Sequence, residues 1–308
     1  MIYTPEFVPE ASAKKTFTVN EINKAIEAKT ILSSLVISCD DELTLEVSLA
    51  KNITGYIKFE DVEYRFDGAR TKEIAALSKV GSYVQFIPTN ITTHNGRYIV
   101  ECSRKLAQKE CYDNFISKLV PGDIIDARIT SIENYGVFCD IGCGIIALLP
   151  TKLISVTHII NPKELLADMS RLKVVIRKIK DDGKIELTHR ELLGTWKQEA
   201  SKLSEGSTVI GTVLSIEDYG VFVRLSQNLS GLAKVPEGID LTPGDVVVVH
   251  VHSITEDTLK VKLSIVRKVK DSKEELRFNY YINDKHIDVW TYADTKKLIQ
   301  TDFNNIED

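Results

Sequence analysis

One phrase occurs twice in this chain. Ile132-Glu133-Asn134-Tyr135-Gly136-Val137-Phe138-Cys139-Asp140-Ile141 returns as Ile216-Glu217-Asp218-Tyr219-Gly220-Val221-Phe222-Val223-Arg224-Leu225, an offset of 84 residues. That offset is the length of a small domain, so the chain reads as an array of units, each with its own core. Val221, Val223 and Leu225 alternate with Phe222 and Arg224, the period of a half-buried strand. The Tyr-Gly pair at the strand's start predicts a turn or bulge that re-aims the aromatic. Tyr219, Phe222 and Arg224 are then expected on the face opposite the valines. Exposed aromatics beside a cation suit the stacking of unpaired bases.

Around the two phrases the rest of the chain divides. Residues 1–27 read as a loose, Pro-bearing lead-in followed by a helix from Val19 to Lys29 capped by Asn20. Residues 28–105 form a first β-rich unit, and residues 106–118 a linking helix. Residues 119–190 form a second unit with strands from Ile124, Gly136, Ile145, Lys173 and Lys184, and a helix near Asn161-Pro162. Residues 191–204 are a second linking helix containing Trp196, read as an anchor between units. Residues 205–268 form the third unit, again with five strands. In residues 269–308, Phe278–Ile282 and His286–Tyr292 predict a hairpin followed by a short helix around 293–299. Five short strands per unit suit an oligonucleotide/oligosaccharide-binding (OB) Greek-key barrel. The expected fold is therefore all-β dominated: three tandem five-stranded barrels joined by short helices, plus a C-terminal hairpin and short helix.

The formal charge of −5 argues against electrostatic coating of a duplex and leaves room for a stacking-based single-strand binder. Residues 271–308 carry nine acids against five Lys and Arg, so the acidity is concentrated in the tail. Five cysteines without framework spacing fit free thiols in a reducing cytoplasm. The N-terminus has no signal-peptide pattern and no apolar run is long enough to span a membrane. A cytoplasmic monomer without membrane contact is expected.

Gly206…Gly211-x-Val213…Ile216…Tyr219-Gly220-x-Phe222-Val223…Gly231-Leu232…Gly244-Asp245-x-Val247…Leu263-Ser264 resembles the S-one RNA-binding domain of ribosomal S-one proteins. The resemblance covers residues 28–268; it is fullest in unit three and thinnest in unit one. The linker Glu191-Leu192-Leu193-Gly194-Thr195-Trp196 is similar to that of short S-one-like proteins of low-GC Gram-positive bacteria. The resemblance implies OB barrels binding single-stranded RNA through their second and third strands. It assigns RNA contact to Tyr135 and Phe138 in unit two and to Tyr219 and Phe222 in unit three. The family's His position holds Pro150 and Lys234, and its Arg position holds Lys184 and Lys260. Its acidic position falls near Asp181 in unit two and on Thr255 in unit three. No unit holds the full set. In unit one, Leu43 and Glu46 stand where Tyr219 and Phe222 do, and a carboxylate at a stacking position repels phosphate. The family's first repeats dock on the ribosome, which implies the small ribosomal subunit as a partner of unit one.

Two function classes follow. The first is a non-enzymatic single-stranded RNA (mRNA) binder acting in translation through units two and three, with Tyr219, Phe222, Arg224, Lys234, Lys260, Tyr135, Phe138 and Lys184 as its RNA contacts. The second is a protein-interaction scaffold of OB units, binding a ribosomal or RNA-decay partner. No phosphate loop, carboxylate cluster or His/Cys constellation points to catalysis, a cofactor or a metal; His250 and His252 lack a third ligand. The basic run Arg171–Lys180 reads as a charged strand edge. Unit three is expected to bind RNA more tightly, with Arg224 and Lys234 where unit two has Asp140 and Pro150.

Overall fold

Five short strands bury an apolar face most completely by closing on themselves, and all three units do so. The computed structural model describes residues 3–6, 16–66, 68–159, 161–167, 169–180, 182–269, 278–295 and 298–306. In unit one, β1 (Leu32–Cys39), β2 (Leu45–Ala50), β3 (Ile53–Ile57), β4 (Tyr83–His94) and β5 (Arg97–Ser103) close in the order β1-β2-β3-β5-β4. Unit two closes β6 (Ile124–Glu133), β7 (Gly136–Asp140), β8 (Ile146–Pro150), β9 (Arg171–Ile179) and β10 (Ile185–Thr188) in the same ring order. Unit three repeats it with β11 (Thr208–Glu217), β12 (Gly220–Arg224), β13 (Ser230–Ala233), β14 (Val246–Thr255) and β15 (Lys260–Lys268). The third and fifth strands of each barrel run parallel. Closure leaves β9 paired with both β6 and β10. The basic run is therefore not an exposed edge.

The helices are shorter than the sequence periodicity suggests. α1 (Val19–Glu27) is capped by Thr18, whose hydroxyl accepts from Glu21 N while the Glu21 carboxylate accepts from Thr18 N; Asn20 lies inside the helix. α2 (Glu73–Leu77) and α4 (Lys163–Leu166) sit between the third and fourth strands of their barrels. α3 (Arg104–Asn114) joins units one and two, and α5 (Trp196–Ala200) joins units two and three. Trp196 is buried in the core of unit three together with Leu192, Ile287 and Trp290.

The ends of the chain depart most from expectation. Tyr3–Glu6 form a docked arm, not a loose lead-in. Tyr3 stacks on Phe115, Thr4 O accepts from Cys143 N at 3.0 Å, and Glu6 is buried. The C-terminal hairpin is β16 (Val289–Ala293) with β17 (Ile299–Asp302), and the described residues after Ala293 hold no helix. Residues 278–287 are a strap across units two and three, not a hairpin strand. On unit two, Ile124 N donates to Lys285 O and Ile287 N to Gly122 O, and His286 Nδ1 lies 2.7 Å from Asp123 Oδ1. Toward unit three, Asn279 N donates to Gln227 Oε1 at 2.7 Å. Trp290, Tyr292 and Phe303 supply the apolar burial that holds an otherwise acidic segment down.

His189 lies beneath this strap, fully buried, with Nδ1 3.0 Å from Ile154 O and its ring against Phe278 and Tyr280. Burial lowers its pKa to about 4. Between about pH 6.5 and 4 the unfolded chain takes up a proton that the folded one refuses, so this contribution to stability is lost as pH falls through that window. Chemical denaturation at pH 7 and pH 4.5 should show a larger acid-induced loss in the native protein than in His189→Gln, by about 2 kcal/mol. Equal losses would mean that His189 is protonated in the folded state.

Candidate nucleic-acid interface

The Tyr-Gly step of β7 and β12 is set by a close backbone approach. A Cβ on Gly136 would lie 2.7 Å from Leu149 O, and one on Gly220 2.5 Å from Ala233 O. Only glycine lets the second and third strands come that near. The preceding tyrosines are thrown outward, Tyr135 being 63% and Tyr219 70% exposed. Each meets the phenylalanine of its own strand edge-on, with centroids 6.1 Å apart in both pairs. Across the sheet Phe138 pairs with Leu148, and Phe222 with the half-exposed Leu232. Units two and three thus each carry an apolar, aromatic platform spanning their second and third strands.

The charges around the two platforms differ, though not at Arg224 and Asp140. Arg224 and Asp140 are both buried and do not flank the aromatics in solvent. Asp140 clamps backbone instead: it accepts from Glu6 N at 2.7 Å, Gly142 N at 2.9 Å and Gly144 N at 3.0 Å. Burial and the neighbouring Glu6 carboxylate nonetheless push its pKa up to about 6. Burial would raise Glu6 as well, but the Arg104 guanidinium, 2.7 Å away, and Lys79 hold it below the usual carboxylate range.

On the third unit Lys234 is exposed at the end of β13, and Lys260 is exposed at the start of β15. Lys262, which the sequence reading passed over, pairs across the parallel strands with Leu232 and is exposed. Its signal is the alternation Lys260, Lys262, Ser264 along β15. The matching position of unit two is Glu186, paired with Leu148 and ion-paired to Arg177. Lys184 is exposed but lies 2.5 Å from Asp182 Oδ2. Asp181 lies outside the described residues, and Thr255 is exposed beside Lys260. His252 lies 3.0 Å from the Ser264 hydroxyl and forms an edge-on pair with His250.

Unit one has the same register without the platform. Glu46 pairs with Tyr56, and Tyr56 with Glu101, so an exposed tyrosine stands between two carboxylates. Ser38 donates to Glu46 and Lys58 lies 4.0 Å from Glu101. Leu43 lies in the turn before β2 with φ of +62° and is partly buried.

The S1 RNA binding domain, the S-one domain of the sequence resemblance, matches residues 118–190. Small ribosomal subunit protein bS1 of Staphylococcus epidermidis is 28% identical over 201 residues, 60% of this chain and 50% of that protein. The bS1 protein of Staphylococcus aureus strain COL is 28% identical over 200 residues with the same shares. The chain thus spans about half the length of the curated relatives it matches. A multidomain protein with nucleic acid binding domains from Streptococcus pneumoniae aligns with 80% of this chain and 76% of its own, at 16% identity and a TM-score of 0.25. GSP13 from Bacillus subtilis aligns with 24% of this chain and 66% of its own, at 29% identity and a TM-score of 0.20.

If Asp140 is a clamp and not a phosphate-repelling charge, Asp140→Asn should cost stability and leave RNA affinity alone. Losing one charge-assisted acceptor for a buried N–H should cost about 1–3 kcal/mol, read by chemical denaturation. A several-fold gain in affinity for a short single-stranded RNA would instead return Asp140 to the binding face.

Proposed function

We propose that the chain is a protein of the S1 family that binds single-stranded RNA on the platforms of units two and three. The observation that carries this reading is the duplicated Tyr–Phe pair, held outward by the same glycine contact in two barrels. Flat rings on a half-buried strand accept bases regardless of sequence, each stacked base contributing roughly 1–3 kcal/mol. The role is binding, not catalysis, and by likeness to bS1 it belongs to translation in the cytoplasm. Unit two binds chiefly by stacking, because Glu186 and Arg177 neutralise each other beside Leu148. Unit three adds attraction for phosphate through Lys234, Lys260 and Lys262. The sheet of unit one, with Tyr56 between Glu46 and Glu101, serves instead as the contact to a protein partner, the small ribosomal subunit by the same likeness. The protein acts as a monomer.

The test is a titration of a fluorescent single-stranded RNA, and of its duplex, at several salt concentrations. The single strand should bind more tightly. Replacing Lys234 and Lys262 with Gln should flatten the log–log salt dependence by up to about 0.7 for each phosphate that is no longer neutralised. Phe222→Ala should weaken binding at every salt concentration and leave the slope unchanged. Equal affinity for duplex, or a slope indifferent to the lysines, would refute the division between stacking and charge.

A further inference from the structure

The platform of unit two does not face open solvent on every side. Residues 63–66 of unit one, between β3 and β4, stand across from it and enclose a groove of about 480 Å³. Phe138, Ile146 and Leu148 line one side, and Tyr64 and Phe66 the other. This volume falls in the range of small-molecule sites, roughly 300–1,000 Å³.

Both walls are tied to the same two side chains of α3. Gln108, itself buried, accepts from Tyr64 N at 2.8 Å and donates to Gly144 O at 3.1 Å. Arg104, also buried, donates to Val62 O at 2.9 Å and through Nη2 to Gly144 O at 3.4 Å. The spacing between unit one's segment and unit two's barrel is thereby set before any ligand arrives. Phe66 packs against Tyr112 with centroids 4.3 Å apart and meets Tyr64 edge-on at 4.9 Å. It also covers Gly183, where a Cβ would approach its own Cβ to 3.1 Å. At the groove wall Glu63 Oε2 is buried without a hydrogen-bond partner, 3.6 Å from Arg65 Nη1.

We propose that this groove is a slot for one unpaired base of the bound strand, with Phe138 of unit two and Phe66 of unit one presenting the flat surfaces. The inference rests on RNA lying on the platform of unit two. Unit one, whose own sheet carries carboxylates where the stacking residues belong, takes part in RNA binding through its 63–66 segment. A slot of set width holds a base without a further ordering cost, which favours a strand with an unstacked nucleotide at that point.

The experiment measures affinity of the full chain for a short fluorescein-labelled single-stranded RNA. The variants are Phe66→Ala, Phe66→Leu, Phe138→Ala, Phe222→Ala, and the Phe66→Ala doubles with each of the last two. All are first checked for native melting. Leucine preserves the apolar packing on Tyr112 and Gly183 and removes the flat ring. Both Phe66 variants should weaken binding about tenfold. The loss should be smaller when Phe138 is already Ala, since both rings hold one base, and should multiply with that of Phe222→Ala. If Phe66 variants bind like the native protein while Phe138→Ala and Phe222→Ala bind weakly, the slot is wrong and the platforms stand. Full retention by Phe66→Leu, or independent losses at Phe66 and Phe138, would reduce Phe66 to packing and also overturn the slot. If no variant loses affinity, the platform reading itself fails.

Discussion

The structure turns on a contact in which a side chain would not fit. Where β7 meets β8, and β12 meets β13, backbone oxygens come within 2.7 Å and 2.5 Å of the place a Cβ would occupy. Glycine at that step closes the barrel tightly and turns the preceding tyrosine out of the pleat. Burial of Val137 and Val221 beneath it fixes the parity of the strand, so Phe138 and Phe222 reach the outer face. In units two and three the close approach of the second and third strands and the outward tyrosine are thus consequences of one local contact. Unit one closes in the same ring order with carboxylates around its tyrosine, so closure alone does not make a platform.

How the units are joined depends on pieces distant in sequence. Glu6 bonds to Arg104 of α3 and, through its backbone N–H, to Asp140 of unit two. The strap at residues 278–287 fastens units two and three from the other end. A buried carboxylate and guanidinium are costly to leave unpaired, so separation of units one and two is opposed by more than the apolar area they share. Three small barrels, each with a limited core, gain by being held together.

The repeat, the strand positions and the outward tyrosines were legible because alternation and the Tyr-Gly step are local signals. Arg224 and Asp140 were misjudged because a residue two past an exposed one is exposed only if nothing covers the strand end. Asp140 is covered by Glu6, 134 positions away. Lys262 escaped notice because parallel pairing between the third and fifth strands has no turn to set its register. The tail's acidity concealed Trp290, Tyr292 and Phe303, which bind it to the third core. Thr18 was passed over for Asn20 as the helix cap, although the Thr-x-x-Glu capping box was there to be read.

That two barrels carry bases while the first barrel's own sheet does not is tested most directly by hydrogen exchange of the whole chain with and without saturating single-stranded RNA. Amides of residues 135–150 and 219–234 should exchange more slowly with RNA bound, and those of residues 43–57 should be unchanged. Protection concentrated over Glu46 and Tyr56, with residues 135–150 and 219–234 indifferent to RNA, would contradict the account.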